Sequence, residues 1–232
     1  MKILSMDTSS VNATVAVCDD NKILGEYTIG NERAHSQIIM PMLEDMLKRS
    51  NLSIKDIDIF AVALGPGSFT GLRIGVAAMK TLALSLNKKI IGVSSLDSVA
   101  ENFPWQDKYI CPIFDARRND VYNAIYYNGK KITNDRICDF DEILIEMAHK
   151  EVVFAGDALS KYKERILSFN NPKWLIAPVH LSMQRASALC HIALERAKND
   201  DFDTVDGLNP IYIRPSQAER EYLEKSKLSN NL

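Results

Sequence analysis

Residues 65–75 read Gly65-Pro66-Gly67-Ser68-Phe69-Thr70-Gly71-Leu72-Arg73-Ile74-Gly75, directly after the apolar run Ile59-Phe60-Ala61-Val62-Ala63-Leu64. A buried strand, a glycine-rich turn and a helix start, in that order, aim unpaired N–H groups and the positive end of a helix dipole at one spot. Folded chains hold phosphates and other anions in this way. Ser68 can cap the helix, no Asp or Glu neutralises the first turn, and Arg73 adds positive charge. The string is not a Walker A loop, which needs a Lys followed by Ser or Thr. Nor is it a dinucleotide fingerprint, because Thr70 stands where the third glycine belongs. A purely structural reading stands beside the chemical one: Gly67 makes a tight turn, while Gly71 and Gly75, on one helical face, let a neighbouring backbone come close.

The other candidates are sparser. Asp7-Thr8-Ser9-Ser10 closes a β-rich opening and offers either an acidic loop or a turn and cap. Ile39 stands four residues beyond His35 and Glu195 four beyond His191, so no helical histidine pair exists, and His149 and His180 stand apart. No GxSxG elbow occurs. The four cysteines, Cys18, Cys111, Cys138 and Cys190, form no CxxC pair and read as small buried hydrophobes. Metal and hydrolase chemistry therefore have no visible home.

At 232 residues, 46% apolar and 25% charged, the chain has the balance of a globular protein large enough for two lobes. Its formal net charge is −2, and the basic pairs Lys88-Lys89, Arg117-Arg118 and Lys130-Lys131 are scattered. Unassisted high-affinity RNA binding needs a clustered basic face, so a nucleic-acid role would be shared with a partner. The opening Met1–Asp7 is too short for a signal peptide, and no run of about 18 apolar residues exists, so a soluble cytoplasmic setting is expected.

Period-two runs predict strands at 2–8, 13–18 and 22–29, then a helix at 35–50, the strand before the glycine loop, a helix at 68–87, a strand at 89–93 and a helix at 95–102. After the break at Phe103-Pro104-Trp105-Gln106-Asp107 the order begins again. Strands are expected at 109–114, 121–127 and 130–137, a helix at 140–150, a strand at 151–155, a helix at 159–168, a strand at 174–176 and a helix at 182–198. Asp7 then aligns with Asp115, each ending a first strand, and the turn at Asn21-Lys22 aligns with Gly129-Lys130. The expected organisation is a first lobe at 1–104, a second at 105–205, and a segment at 206–232 that packs back on the first lobe before fraying into a disordered tail.

Two βββαβαβα lobes resemble the actin and sugar-kinase superfamily, an α/β ribonuclease-H-like duplication. That resemblance makes Asp7, Thr8, Ser9, Asp115 and the glycine-loop residues Gly65, Gly67, Ser68, Thr70, Gly71 and Arg73 relics of nucleotide-binding loops. The superfamily places glycine two residues after each aspartate. Here Ser9 and Arg117 stand there, which argues against independent ATP hydrolysis.

The helix pair carries more information. Ile38, Met42 and Met46 form one row and Ile39, Leu43 and Leu47 another, opposite Glu44, Asp45, Lys48 and Arg49, with Pro41 bending or redefining the start. The second helix is apolar nearly all round, through Leu72, Val76, Met79 and Leu82, so it must be covered on two sides. Either the pair closes its own core, or its outer row meets another subunit.

Taken together, Ile3–Ser9, His35-Ser36, Ala63–Gly75, Gly92-Val93-Ser94-Ser95-Leu96, Asp115-Ala116-Arg117 with Val121-Tyr122, and Phe154-Ala155-Gly156-Asp157 closely resemble the TsaB (YeaZ) family. One departure is Asp120 where that family usually has glutamate. The resemblance implies a non-catalytic scaffold and activator for threonylcarbamoyl transfer to the adenosine beside the anticodon of tRNAs reading codons that begin with adenine. It implies a catalytic paralogue, TsaD, docked on the two first-lobe helices, and an ATPase, TsaE. It also implies a homodimer through the same surface when alone, no cofactor on this chain, ATP and metal on the partners, and tRNA contact only through the complex. Ile38, Ile39, Met42, Leu43, Met46, Leu72, Val76, Met79 and Leu82 are the expected contact residues, so a charge at Met42 or Met79 is expected to abolish pairing and leave the lobe folded. The rivals are a stand-alone ATP-binding kinase-like enzyme, a metallopeptidase and an independent tRNA-binding module.

Overall fold

A computed structural model describes residues 1–20, 22–30, 35–104 and 107–214. The expected tail, Asn21 and the break residues Trp105-Gln106 lie outside them. The first lobe runs β1 (Ile3–Asp7), β2 (Asn12–Cys18), β3 (Ile23–Gly30), α1 (His35–Arg49), β4 (Ile59–Gly65), α2 (Phe69–Ser85), β5 (Lys89–Ser94) and α3 (Ser95–Ala100). The second runs β6 (Tyr109–Asp115), β7 (Asp120–Asn123), β8 (Tyr126–Tyr127), β9 (Lys130–Lys131), β10 (Arg136–Asp139), α4 (Phe140–Met147), β11 (Val152–Ala155), α5 (Leu159–Ser168), β12 (Trp174–Ile176), α6 (Val179–Ser182) and α7 (Ala186–Lys198).

The main sheets have the same order, β3-β2-β1-β4-β5 and β10-β7-β6-β11-β12, with an antiparallel half and a parallel half in each. Asp7 and Asp115 both end the central strand. Gly65 ends β4 and Gly156 directly follows β11, the matching strands of the two sheets, and both sit at positive φ, 115° and 107°. This is the two-lobed α/β actin-like duplication that the element order implies.

Packing does not follow chain order. Sheet one buries Met6, Val15 and Phe60 under α1 and α2 on one face. On the other it buries Ile3, Ala16 and Ile91 under Leu189, Cys190 and Ala193 of α7, the last of the described helices. Sheet two is covered by α4 and α5 on one face. Leu96, Val99 and Ala100 of α3 cover its other face, around Phe114 and Val153. Each lobe thus lends a helix to the other, and the boundary near residue 104 divides the chain without dividing the cores.

The strand expected at 130–137 is split into β9, paired to β8, and β10, paired to β7, and two further elements differ from expectation for identifiable reasons. The second strand of lobe two is interrupted between β7 and β8, opposite Pro112 of the central strand, which has no N–H to donate. The Asn123 amide donates instead to Pro112 O at 2.9 Å and Ala124 O at 3.1 Å. The single helix expected at 182–198 is split into α6 and α7. Met183 and Arg185 are extended, Met183 O accepts from the Asn102 amide at 3.1 Å, and Glu26 of β3 accepts the Ser187 N–H at 2.9 Å, capping α7 from another element. Burial alone would push the Glu26 carboxyl up. Arg185 and Ser187 outweigh it and hold the carboxyl below its usual range.

The glycines of the 65–75 string admit the first loop. A β-carbon on Gly67 would overlap Ser9 O, one on Gly71 would overlap Thr8 O, and one on Gly75 would overlap Thr8 Oγ1. Gly71→Ala should therefore lower stability by about 2–3 kcal/mol or more, because the obstacle is backbone. A shift of the urea midpoint at unchanged slope would show it.

Candidate functional site: the interlobe cleft and the outer helix face

The loops after β1, β4, β6 and β11 converge between the lobes. Asp7 is fully buried; its Oδ1 accepts the Ser9 N–H at 2.7 Å, and its Oδ2 has no partner. Ser9 O accepts the Ser68 N–H at 2.7 Å, Thr8 Oγ1 donates to Gly71 O at 2.7 Å, and Ser68 Oγ accepts the Gly71 N–H at 3.2 Å. The Ser68 and Gly71 N–H groups of the glycine loop are therefore engaged within the chain, and Ser9 and Thr8 occupy the space directly against Gly67 and Gly71. Thr70 and Arg73 lie exposed on the outer side.

From the second lobe, Asp157 Oδ1 accepts the Asp115 N–H at 3.0 Å, and Asp115 pairs with Lys161 at 3.0 Å. Gln184, buried between α6 and α7, donates to Ser9 Oγ at 3.3 Å. Burial pushes the Asp7 carboxyl up to about 6 against the opposing effects of Ser9 and His35. Burial likewise raises Asp157 to about 6, with the charges of Asp115 and Asp7 adding to it. No three His, Cys, Asp or Glu side chains among the described residues form a group able to hold a metal ion.

A strap formed by residues 208–214 crosses the mouth of the cleft. Leu208 is buried in the first-lobe core, and Lys80 Nζ donates to its carbonyl at 2.8 Å. Ile211 N–H donates to Leu64 O at 2.7 Å, and Ile211 O stands over Gly65. Tyr212 stacks on Phe69 with ring centroids 4.4 Å apart and accepts from Arg73 Nε at 2.9 Å. Ile213 packs on the second-lobe core, and Arg214 donates to Ala116 O and pairs with Asp120 at 3.2 Å. Sequence reading expected a C-terminal segment packed on the first lobe but missed its reach to the second lobe, as well as Gln184 and the role of Asp157. The only prior signal was Gly156-Asp157 at a strand end.

The expected contact residues require a correction. Ile39, Met42, Leu43, Met46, Leu72, Val76 and Met79 are each at most 5% exposed and form the first-lobe core, while Ile38 and Leu82 are half-buried. An apolar row at helical spacing marks the face toward the sheet, and here that sheet covers it. A charge at Met42 or Met79 would disrupt the core before any interface. The outward rows are Gln37, Met40, Pro41, Glu44 and Lys48 on α1, and Arg73, Ala77, Thr81 and Leu84 on α2. Met40 is 42% exposed and Leu84 69%.

A curated relative, the tRNA threonylcarbamoyladenosine biosynthesis protein TsaB of Bacillus subtilis (strain 168), is 35% identical over 98% of this chain and 100% of its own length. The chain belongs to the TsaB family. A family model described as TsaD, tRNA N6-adenosine threonylcarbamoyltransferase, matches residues 22–220. The crystal structure of YeaZ from Pseudomonas aeruginosa superposes with a TM-score of 0.75 at 23% identity, covering 91% of this chain and 99% of that one. The activator of the 2-hydroxyisocaproyl-CoA dehydratase from Clostridium difficile, solved with bound ADPNP, shares the fold at a TM-score of 0.53 and 12% identity over 86% of this chain and 97% of its own. No described helix of the TsaB-family chain is long and apolar enough to cross a membrane.

The buried carboxylates make stability fall with pH. A carboxyl raised from its ordinary value of 3.8 to about 6 in the folded state binds its proton more tightly there than in the unfolded chain. Stability is then greatest below the unfolded pKa and is lost as pH climbs through about 6. For Asp7 the loss is about 3 kcal/mol. Asp7→Asn in this TsaB-family protein should flatten the pH 4–7 stability profile in urea titrations and raise stability at pH 7.

Proposed function

We propose that the chain acts in tRNA threonylcarbamoyladenosine biosynthesis as a scaffold and activator with no catalytic chemistry of its own. A TsaD-like paralogue docks on the outer face of α1 and α2, a TsaE-like ATPase completes the assembly, and ATP and metal sit on those partners. Alone, the chain pairs with a second copy through the same face. The observation that carries this reading is the first-lobe junction, whose phosphate-type loop is filled by Thr8 and Ser9. An actin-like lobe altered in this way retains its shape and loses its nucleotide cradle. The outer row of α2 supports docking, because Ala77 and Thr81 are small and exposed beside exposed Leu84, a surface that lets another helix approach closely.

Reconstitution tests the role: tRNA modification by the partner enzymes should require this chain, and equal modification without it would overturn the reading. Ala77→Arg should weaken pairing with the catalytic paralogue roughly 30-fold or more. Because position 77 faces solvent, its urea midpoint should stay within the range of ordinary surface substitutions. Co-elution in gel filtration at unchanged affinity would remove the docking face. ATP binding by the isolated chain in titration calorimetry would instead favour a stand-alone nucleotide-dependent enzyme.

A further inference from the structure

We infer that the tip of the β6–β7 hairpin is a phosphodiester-binding surface through which the second lobe touches RNA, an inference that rests on the proposed role in tRNA modification. Arg117 and Arg118 occupy the left-handed region consecutively, at φ 68° and 58°, where a β-carbon crowds the backbone. The turn is nonetheless firmly built. Arg117 N–H donates to Asp115 Oδ1 at 3.1 Å, Asp120 N–H donates to Arg117 O at 3.2 Å, and Arg118 O accepts from Lys161 Nζ and from the Tyr162 hydroxyl.

The charge pattern around the tip is selective. Lys161 is neutralised by Asp115, Arg165 by Asp141 and Arg214 by Asp120. Arg117 and Arg118 are exposed, and among the described residues their guanidinium groups have no ion pair or hydrogen bond. A chain of formal net charge −2 therefore carries two adjacent, uncompensated cations on a strained but anchored turn. Two guanidinium forks side by side match the oxygens of successive phosphates and read no base, so the contact is independent of sequence. Arg214 ties this turn to the strap, and Tyr212 of the strap lies on Phe69 and Arg73 at the start of α2. The strap thus links the tip to the start of α2, the helix that bears the proposed docking face.

The test uses the full chain assembled with its catalytic partner and an unmodified tRNA transcript, with binding measured by fluorescence anisotropy at several salt concentrations. In the double variant Arg117→Gly/Arg118→Gly the slope of log affinity against log salt should shrink by about 2, and affinity at low salt should fall roughly tenfold or more. Its melting temperature should not drop, because glycine accepts φ > 0. Arg117→Lys/Arg118→Lys should keep the slope. An unchanged slope and affinity in the glycine variant, with assembly intact, would overturn the surface alone. An acidic protein segment as the true occupant would show itself instead as weakened assembly with an unchanged RNA slope, and would also overturn it. Failure of the wild-type chain to assemble with the partner would instead overturn the functional reading; salt titration of the full chain alone with tRNA then decides the tip on its own.

Discussion

The contact between Thr8-Ser9 and the glycines at 67 and 71 is the constraint on which the first lobe depends. Two backbones approach more closely than any side chain would allow, and hydrogen bonds from Ser68 N–H to Ser9 O and from Thr8 Oγ1 to Gly71 O hold them there. The contact sets where α2 begins, hence which face of α2 meets the sheet and which is left outward. It also engages the Ser68 N–H, while Ser68 Oγ takes up that of Gly71. One interaction therefore fixes the pose of a helix and occupies two of the N–H groups at its start.

Much of the architecture was legible because hydrophobic period is a local property. The strands, both sequences of elements and the repeat of Asp7 in Asp115 could be read from spacing alone. The parts that could not be read are those decided by distant partners. Nothing near Met183 signals a helix break, since it is made by Asn102 and Glu26 from other elements. Pro112 was visible, but its effect depends on its place in a central strand. The strap is too short to carry a period, and its meaning lies in contacts with Leu64, Phe69 and Ala116, far away in sequence.

The candidate site shows a different limit. Met42 and Met46 on α1 and Met79 on α2 belong to apolar rows that a core and a protein interface would both require, so the pattern alone does not distinguish them. Exposure does, and it moves the candidate surface one face round each helix, to Met40, Ala77 and Leu84. The acidic residues behaved in a similar way. Asp7 and Asp115 are equivalent by position, yet one is sealed from solvent and shifted by burial while the other is exposed and paired with a lysine. Sequence equivalence located both carboxylates without telling their environments apart.

The exchange of α3 and α7 has a bearing on how the chain comes to be folded at all. Sheet one is complete once β5 has been made, but Ile3, Ala16 and Ile91 on its second face stay bare until Leu189 and Ala193 arrive, nearly a whole lobe later. As the chain emerges from the ribosome, the first lobe is a one-sided sheet with an apolar surface facing water, and α3 waits beside it for a second sheet not yet synthesised. Completion must come late and in one step, dominated by contacts between the two ends of the chain. That places the molecule among slow-folding topologies, exposed to aggregation before α7 docks.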